Sequence, residues 1–167
     1  MQSLMAPPLY RRLLGMLYDF LIGGTMASIV AAIIIGIFFA RGKGIPADTP
    51  LAYSIFALEL FVGFFYFQWF ILHQGQSLGM SVWKIQIGDL RGNRVSYSQI
   101  AIRYLALVIL VLAGFLLGYK ILSLSGTASL GIAMLFLLVD LLWSFTNPQR
   151  LALHEVISQT RLIDARL

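Results

Sequence analysis

Four long apolar stretches dominate the chain. From Phe20 to Ala40 no Asp, Glu, Lys or Arg interrupts the run, and the helical pattern begins earlier, near Leu9 or Tyr10. A helix of ~20 apolar residues crosses the hydrocarbon core of a bilayer, so a first membrane span is predicted over about residues 12–40. A second covers 51–72 and is broken only by Glu59. A third covers 104–122, with Lys120 near its far end. A fourth covers 128–145, contains Asp140 and follows a short polar turn at Ser123, Ser125, Gly126 and Thr127. These runs are too long and too apolar for ordinary buried helices. The first exceeds the ~7–15 residues of a signal-peptide core and no small-x-small site ends it, so it is expected to remain as an anchor.

Between the spans the period changes. Ser81 to Ile87 alternates polar and apolar residues, the period of a half-buried strand. Asp89-Leu90-Arg91-Gly92-Asn93 reads as a turn, and Val95 to Tyr97 as a returning strand. The expectation is a short hairpin in the loop 73–103, with Trp83, Ile85 and Ile87 facing apolar material. A lone hairpin is marginal in water. The tail segment Thr160-Arg161-Leu162-Ile163 is a candidate third strand. Ser98 to Arg103 is expected to start the helix of the third span. Asn147-Pro148 should end the fourth, because proline breaks a helix and restricts the residue before it. Within the tail 146–167, Leu151 to Ile157 reads as a short interfacial helix. The fold class is therefore an all-α membrane protein: one domain over 1–167, four transmembrane helices in a bundle, and a small β-hairpin between helices 2 and 3.

Composition sharpens this picture. Of 167 residues, 59% are apolar and only 11% charged, against ~25% charged in a soluble domain. Soluble globular, disordered and coiled-coil classes are excluded. No cysteine is present, which removes disulfides, Cys-based zinc sites and thiol catalysis. With four spans, the two termini and the middle loop share a side. That side carries Arg11, Arg12, Lys84, Arg91, Arg94, Arg103, Arg150, Arg161 and Arg166; the other carries Arg41, Lys43 and Lys120. The positive-inside rule then puts both termini and the loop in the cytoplasm, which in a bacterial cell means the inner membrane. Trp83, Tyr104, Tyr119 and Trp143 fall near span ends, where aromatic belts sit.

The net charge of +5 needs only anionic lipid as its partner, and no nucleic acid is expected. Enzyme signals are thin. His154-Glu155 opens like a metalloprotease motif, but Ser158 stands where the second histidine should be. Gly-x-Ser-x-Gly, phosphate-loop and dinucleotide patterns do not occur, and Gly75 to Gly79 is too short for a phosphate cradle. The chain is not expected to be an enzyme, and neither a cofactor nor a metal is expected.

The candidate chemistry lies in charges inside the membrane, each costing ~2.5–3.5 kcal/mol at mid-bilayer. Asp19 follows Arg12 by seven residues, nearly two turns, so the pair shares a helix face and Asp19 lies ~10 Å deeper. Asp140 lies five residues before Phe145, ~8 Å deep. Arg12 and Arg103 sit near the inner boundary as candidate charge partners for both aspartates. Glu59 lies eight residues into span 2, ~12 Å deep, with no evident basic partner. Two readings stand. Asp19, Asp140 and Glu59 bind Na+ or carry H+, as intramembrane carboxylates do in transporters, or Arg–Asp pairs fix helix register. Lys120 snorkels to the outer interface. Gly114 and Gly118 form a GxxxG that serves as an intrachain seam or a dimer face. The phenylalanines of span 2 read as packing and lipid-facing bulk.

These features together resemble the RDD family of small prokaryotic membrane proteins, named for an arginine and two aspartates. Arg12, Leu14-Gly15 and Asp19 look like its opening motif. Gly75-Gln76-Ser77-Leu78-Gly79, then Ile85-Gln86-Ile87-x-Asp89, Gly92 and Arg103, look like its central loop. Asp140, Leu153-His154-Glu155 and Thr160-Arg161-Leu162-Ile163 look like its ending. The resemblance spans about residues 9–164. Glu155 stands where the family usually has Asp, and Met80 where Lys usually follows the central motif. The resemblance implies a membrane protein often described as a transporter, with proton-coupled sodium exchange a recurring suggestion. It adds Gly75, Gln76, Gly79, His154 and Glu155 as a cytoplasmic motif. The expected function is a small transporter or transporter subunit, cation/proton antiport being the specific form, with a homo-oligomer completing so small a pathway. The alternative is a membrane scaffold or regulatory partner whose hairpin and tail bind another protein.

Overall fold

The structure, a computed structural model, describes residues 6–40, 42, 49–146 and 148–166. Arg41 and Lys43, counted above for orientation, and Asn147, expected to end the fourth span, lie outside these residues. The elements are α1 (Leu9–Ala40), α2 (Pro50–Gln74), α3 (Leu78–Val82), β1 (Ile85–Asp89), α4 (Tyr97–Leu116), α5 (Gly126–Leu142), α6 (Leu153–Ser158) and β2 (Thr160–Asp164). A π-helical turn, Leu117–Ile121, extends α4, and a 3-10 turn, Trp143–Phe145, extends α5. Four helices are long and apolar enough to cross a membrane: Leu9–Phe39, Pro50–Gln74, Tyr97–Ile121 and Ala128–Phe145. Their outer faces carry exposed Phe20, Ile33, Phe61, Ile109 and Val139, which suits a hydrocarbon solvent.

Local signals set the boundaries. The Thr49 hydroxyl accepts from the Ala52 amide, and Pro50 occupies the first position of α2, where a missing N–H costs nothing. Gly75 ends α2 in the left-handed region, φ 71°, and its amide donates to the Ile71 carbonyl. Ser96 and Gln99 form a reciprocal capping box at the start of α4. Ser125 caps α5 by accepting from the Ala128 amide.

A tight seam joins α4 to α5, and the GxxxG makes it. A Cβ on Gly114 would stand 2.8 Å from the Ala133 Cα, and one on Gly118 would stand 2.9 Å from the Ser129 Cα. The pair is thus an intrachain seam. α1 packs on α2, and α2 on α4. Phe64 and Phe67 of α2 meet Tyr104 of α4, while Phe61 and Phe65 stay exposed.

At one end of the spans lies a small core of Ile71, Met80, Ile85, Ile87, Val95, Ile100 and Leu162. It draws on α2, α3, β1, α4 and β2. The sheet inside it corrects the expected hairpin. β1 pairs antiparallel with the tail strand β2, Ile87 opposite Leu162 and Asp89 opposite Thr160. Val95 to Tyr97 forms no returning strand. The Asp89 turn does form, its carboxylate accepting from the Arg91 and Asn93 amides. Only Arg94 and Val95 then separate Asn93 from the Ser96 cap, too little chain to pair. The strand also starts later than the alternation suggested, because Ser77 caps α3 over Leu78–Val82. The middle loop, the start of α1 and the tail therefore gather at one end of the molecule.

Substituting Gly114→Leu or Gly118→Leu should destabilise the protein by about 1–3 kcal/mol or more through overpacking. Gly131→Leu on α5 should be near neutral, since nothing lies within 4 Å of its added Cβ. Thermal unfolding in detergent checks the contrast.

Candidate buried charge network

Three carboxylates organise the gathered end. Asp19, on α1, faces the Gly75–Gly79 turn and is 3% exposed. One of its oxygens accepts from the Ser77 hydroxyl at 2.5 Å; the other accepts from the Gly79 amide at 2.9 Å and the Tyr66 hydroxyl at 3.2 Å. The contact needs glycine. A Cβ on Gly79 would lie 2.6 Å from the Gly15 carbonyl oxygen and 2.8 Å from the Asp19 carboxyl carbon. Ser77 does two tasks, donating to Asp19 and accepting from the Met80 amide as the cap of α3. Gly75 contributes its left-handed turn, and its carbonyl accepts from the Ile87 amide. Gln76 is half-buried beside it.

Asp140, near the end of α5, accepts from the His154 amide at 2.9 Å and bonds the His154 Nδ1 at 2.5 Å. Asp140 thus holds the start of α6 from below. Burial, then the nearby Arg103 charge, push the His154 imidazole below its ordinary range. Its Nδ1 faces the carboxylate.

Glu155 is wholly buried, at 0% exposure. One oxygen accepts from the Ala152 amide at 2.9 Å, and Arg12 Nη1 lies 3.5 Å from it. Arg103 Nη2 lies 3.5 Å from the other oxygen. Arg103 Nη1 donates to the Thr160 hydroxyl at 2.8 Å, which in turn shares a 2.7 Å bond with Ser158. One carboxylate on α6 thereby ties the first span, the third span and the tail together.

This arrangement corrects the expected pairing. Arg12 and Arg103 are charge partners, but their ion pairs run to Glu155 rather than to Asp19 or Asp140. The reason is α6: it folds back under the spans and puts Glu155 between the two guanidiniums. Arg103 still acts electrostatically on both aspartates. Glu59 is half-buried on α2 and takes no part in the network. Among the described residues, no group of three His, Cys, Asp or Glu side chains is placed to hold a metal ion.

Sequence reasoning missed Arg11, counted above only as a positive charge. Its side chain donates to the Trp83 carbonyl, to the Lys84 carbonyl at 2.8 Å and to Asp164 at 2.5 Å. It locks the start of α1 onto the two residues just before β1 and onto the end of β2. Tyr66 and Asp164 were missed as well, and Thr160 was read only as part of the tail segment. A serine ahead of Leu-Gly-Met was a readable helix cap; nothing local marks Tyr66 or Thr160 as partners.

A family model, described as the RDD family, matches residues 6–159. No curated protein and no solved structure matches the chain.

Two outcomes follow from this geometry. Gly79→Ala should unseat α3 and lower the melting temperature in detergent as much as Asp19→Ala does, whereas Gly24→Ala, with open space at its Cβ, should not. The Asp164 carboxyl is held far below the ordinary carboxylate range, by Arg166 first and Arg11 second. Its contribution is complete above about pH 4, the unfolded value, and is lost as pH falls through the depressed folded value. The stability gap between wild type and Asp164→Asn should therefore stay constant from neutral pH to about pH 5 and close only in stronger acid. Melting curves across that range measure it.

Proposed function

The chain belongs to the RDD family, whose members are membrane proteins, and from that premise we propose that it is a proton-coupled transport subunit. Four helices long and apolar enough to cross a bilayer make it a multi-pass membrane protein. The proposed setting is a bacterial inner membrane with both termini and the gathered end cytoplasmic, the orientation that the positive-inside rule favours.

One observation carries the reading. Asp19 and Asp140, buried on the first and last spans, each hold a segment that lies outside the spans. A carboxylate can accept all the hydrogen bonds made to Asp19; a carboxylic acid must turn one oxygen into a donor. Protonating Asp19 thus loosens the Ser77–Gly79 turn, and protonating Asp140 loosens the start of α6. Proton uptake is thereby linked to movement of the face that closes the spans. The oxygens are already occupied by donors, which favours H+ over Na+ as the species bound there. Na+ or another cation would cross in exchange elsewhere, with half-buried Glu59 as the candidate group and a second copy of the chain completing the path.

The same saturation of hydrogen bonds favours a second reading, a static scaffold whose loop and tail present a platform to another protein. Proton flux separates the two. Purified protein in vesicles with an internal pH dye should show flux on adding Na+, K+ or Li+. Asp19→Asn and Asp140→Asn, reconstituted at equal amounts, should abolish it. Absence of flux from folded wild-type protein would sink the exchanger and leave the scaffold.

A further inference from the structure

Where α2 ends against β1 and the Asp89 turn lies a cavity of about 310 Å3. Among the described residues, its polar lining is His73, Gln74, Gln86, Asn93 and Arg94, and no carboxylate lines it. Ile71, Leu72 and Val95 form apolar walls. Arg94 is exposed and makes no ion pair among the described residues. Asp89, the acid nearest to it in sequence, accepts instead from the Arg91 and Asn93 amides and from the Asn93 side chain.

His73 links this cavity to the lipid-facing side of α2. Its Nδ1 lies 2.7 Å from the Trp69 carbonyl, one turn earlier. A carbonyl only accepts, so Nδ1 donates and Nε2 is the nitrogen left for a ligand. A neutral ring accepts there from a hydroxyl; a charged ring donates there to a phosphate oxygen. The ring also packs on Trp69, with 4.3 Å between centroids. Trp69 in turn belongs to a stripe. Phe61, Phe65, Trp69 and His73 are spaced four apart, the row that forms one ridge of an α-helix, and all four are exposed. Phe61 and Phe65 are in contact, their centroids 4.6 Å apart. From Phe61 to His73 the ridge rises ~18 Å, close to the ~15 Å depth of one leaflet's hydrocarbon. It lies on a helix long and apolar enough to cross the membrane, and it ends in the polar cavity where that span ends.

We propose that the cavity and the ridge together bind one anionic phospholipid. The Arg94 guanidinium takes the headgroup phosphate, His73 Nε2 meets a second headgroup oxygen, and an acyl chain lies along Trp69, Phe65 and Phe61. A guanidinium suits the phosphate because its planar donor fork matches two oxygens at once. The exposed Gln74 and Gln86 amides donate and accept, which suits a headgroup that carries hydroxyls. The continuity of polar cavity and apolar ridge fits an amphiphile; a soluble anion would leave the ridge uncovered. Asp19, Asp140 and Glu155 do not line the cavity, and the site needs no proton transfer.

The test uses the full-length protein in neutral detergent. Native mass spectrometry titrates three probes: phosphatidylglycerol, phosphatidylcholine with the same acyl chains, and glycerol phosphate, the headgroup without chains. Phosphatidylglycerol should bind about tenfold more tightly than phosphatidylcholine, and glycerol phosphate should not displace it. Arg94→Gln, at an exposed position that folding tolerates, should weaken phosphatidylglycerol about tenfold and bring it to the phosphatidylcholine level. Arg94→Lys should recover part of that loss. Trp69→Ala should weaken both lipids about threefold and leave their ratio unchanged. A control, Arg91→Gln, removes an exposed charge from the same turn outside the cavity and should change affinity less than about twofold. Equal weakening by Arg94→Gln and Arg91→Gln would overturn the proposal in favour of diffuse surface charge. So would equal binding of the two lipids, displacement by glycerol phosphate, or unchanged lipid binding in Trp69→Ala.

Discussion

A carboxylate shut away from water must be answered by charge and hydrogen bonds, and Glu155 is answered from three directions. Arg12 reaches it from the first span, Arg103 from the third, and the Ala152 amide from its own helix. Breaking such a pair by removing one partner costs about 3–5 kcal/mol, because it leaves an uncompensated buried charge. The tail's place at the gathered end depends on this contact. With Glu155 in place, α6 lies under the spans, His154 meets Asp140, and Thr160 begins the strand that completes the sheet. Arg11, one residue before Arg12, then fastens the first span to Lys84, just before β1, and to the end of β2.

The spans were legible because a bilayer imposes a blunt rule on length and apolarity. The Gly114–Gly118 seam was legible too, since small residues four apart admit a second backbone. The sheet was only half readable. Periodicity identified β1 through Ile85 and Ile87, but its partner lies in the tail, and local sequence carries no record of distant pairing. The nearer candidate, Val95 to Tyr97, was consumed by a core side chain and a helix start. The charged site shows the same division. Arg12, Asp19, Arg103, Asp140 and Glu155 were all singled out, yet the partners were exchanged. Depth along a helix placed arginines and aspartates at comparable levels; it could not show that a short helix from the tail would insert a glutamate between the two arginines.

The three buried carboxylates serve different elements. Asp19 governs the central turn, Asp140 governs the start of the tail helix, and Glu155 joins the spans. The segments held by the first two lie outside the spans. In the proposed proton-coupled mechanism the aspartates would be the switch and the glutamate part of the frame.

The central claim is that Glu155 holds the frame together through its arginines, and a double-mutant cycle between Glu155 and Arg103 tests it most directly. Glu155→Met, Arg103→Met and the double variant would be unfolded in nanodiscs beside the wild type. Glu155→Met leaves both Arg12 and Arg103 without their ion-pair partner and should lose about 3–5 kcal/mol; Arg103→Met leaves Glu155 with Arg12 alone and should lose less; the double variant should lose less than the sum of the two. Losses that simply add in the double variant would contradict the account and reduce the pair to two neighbouring but independent groups.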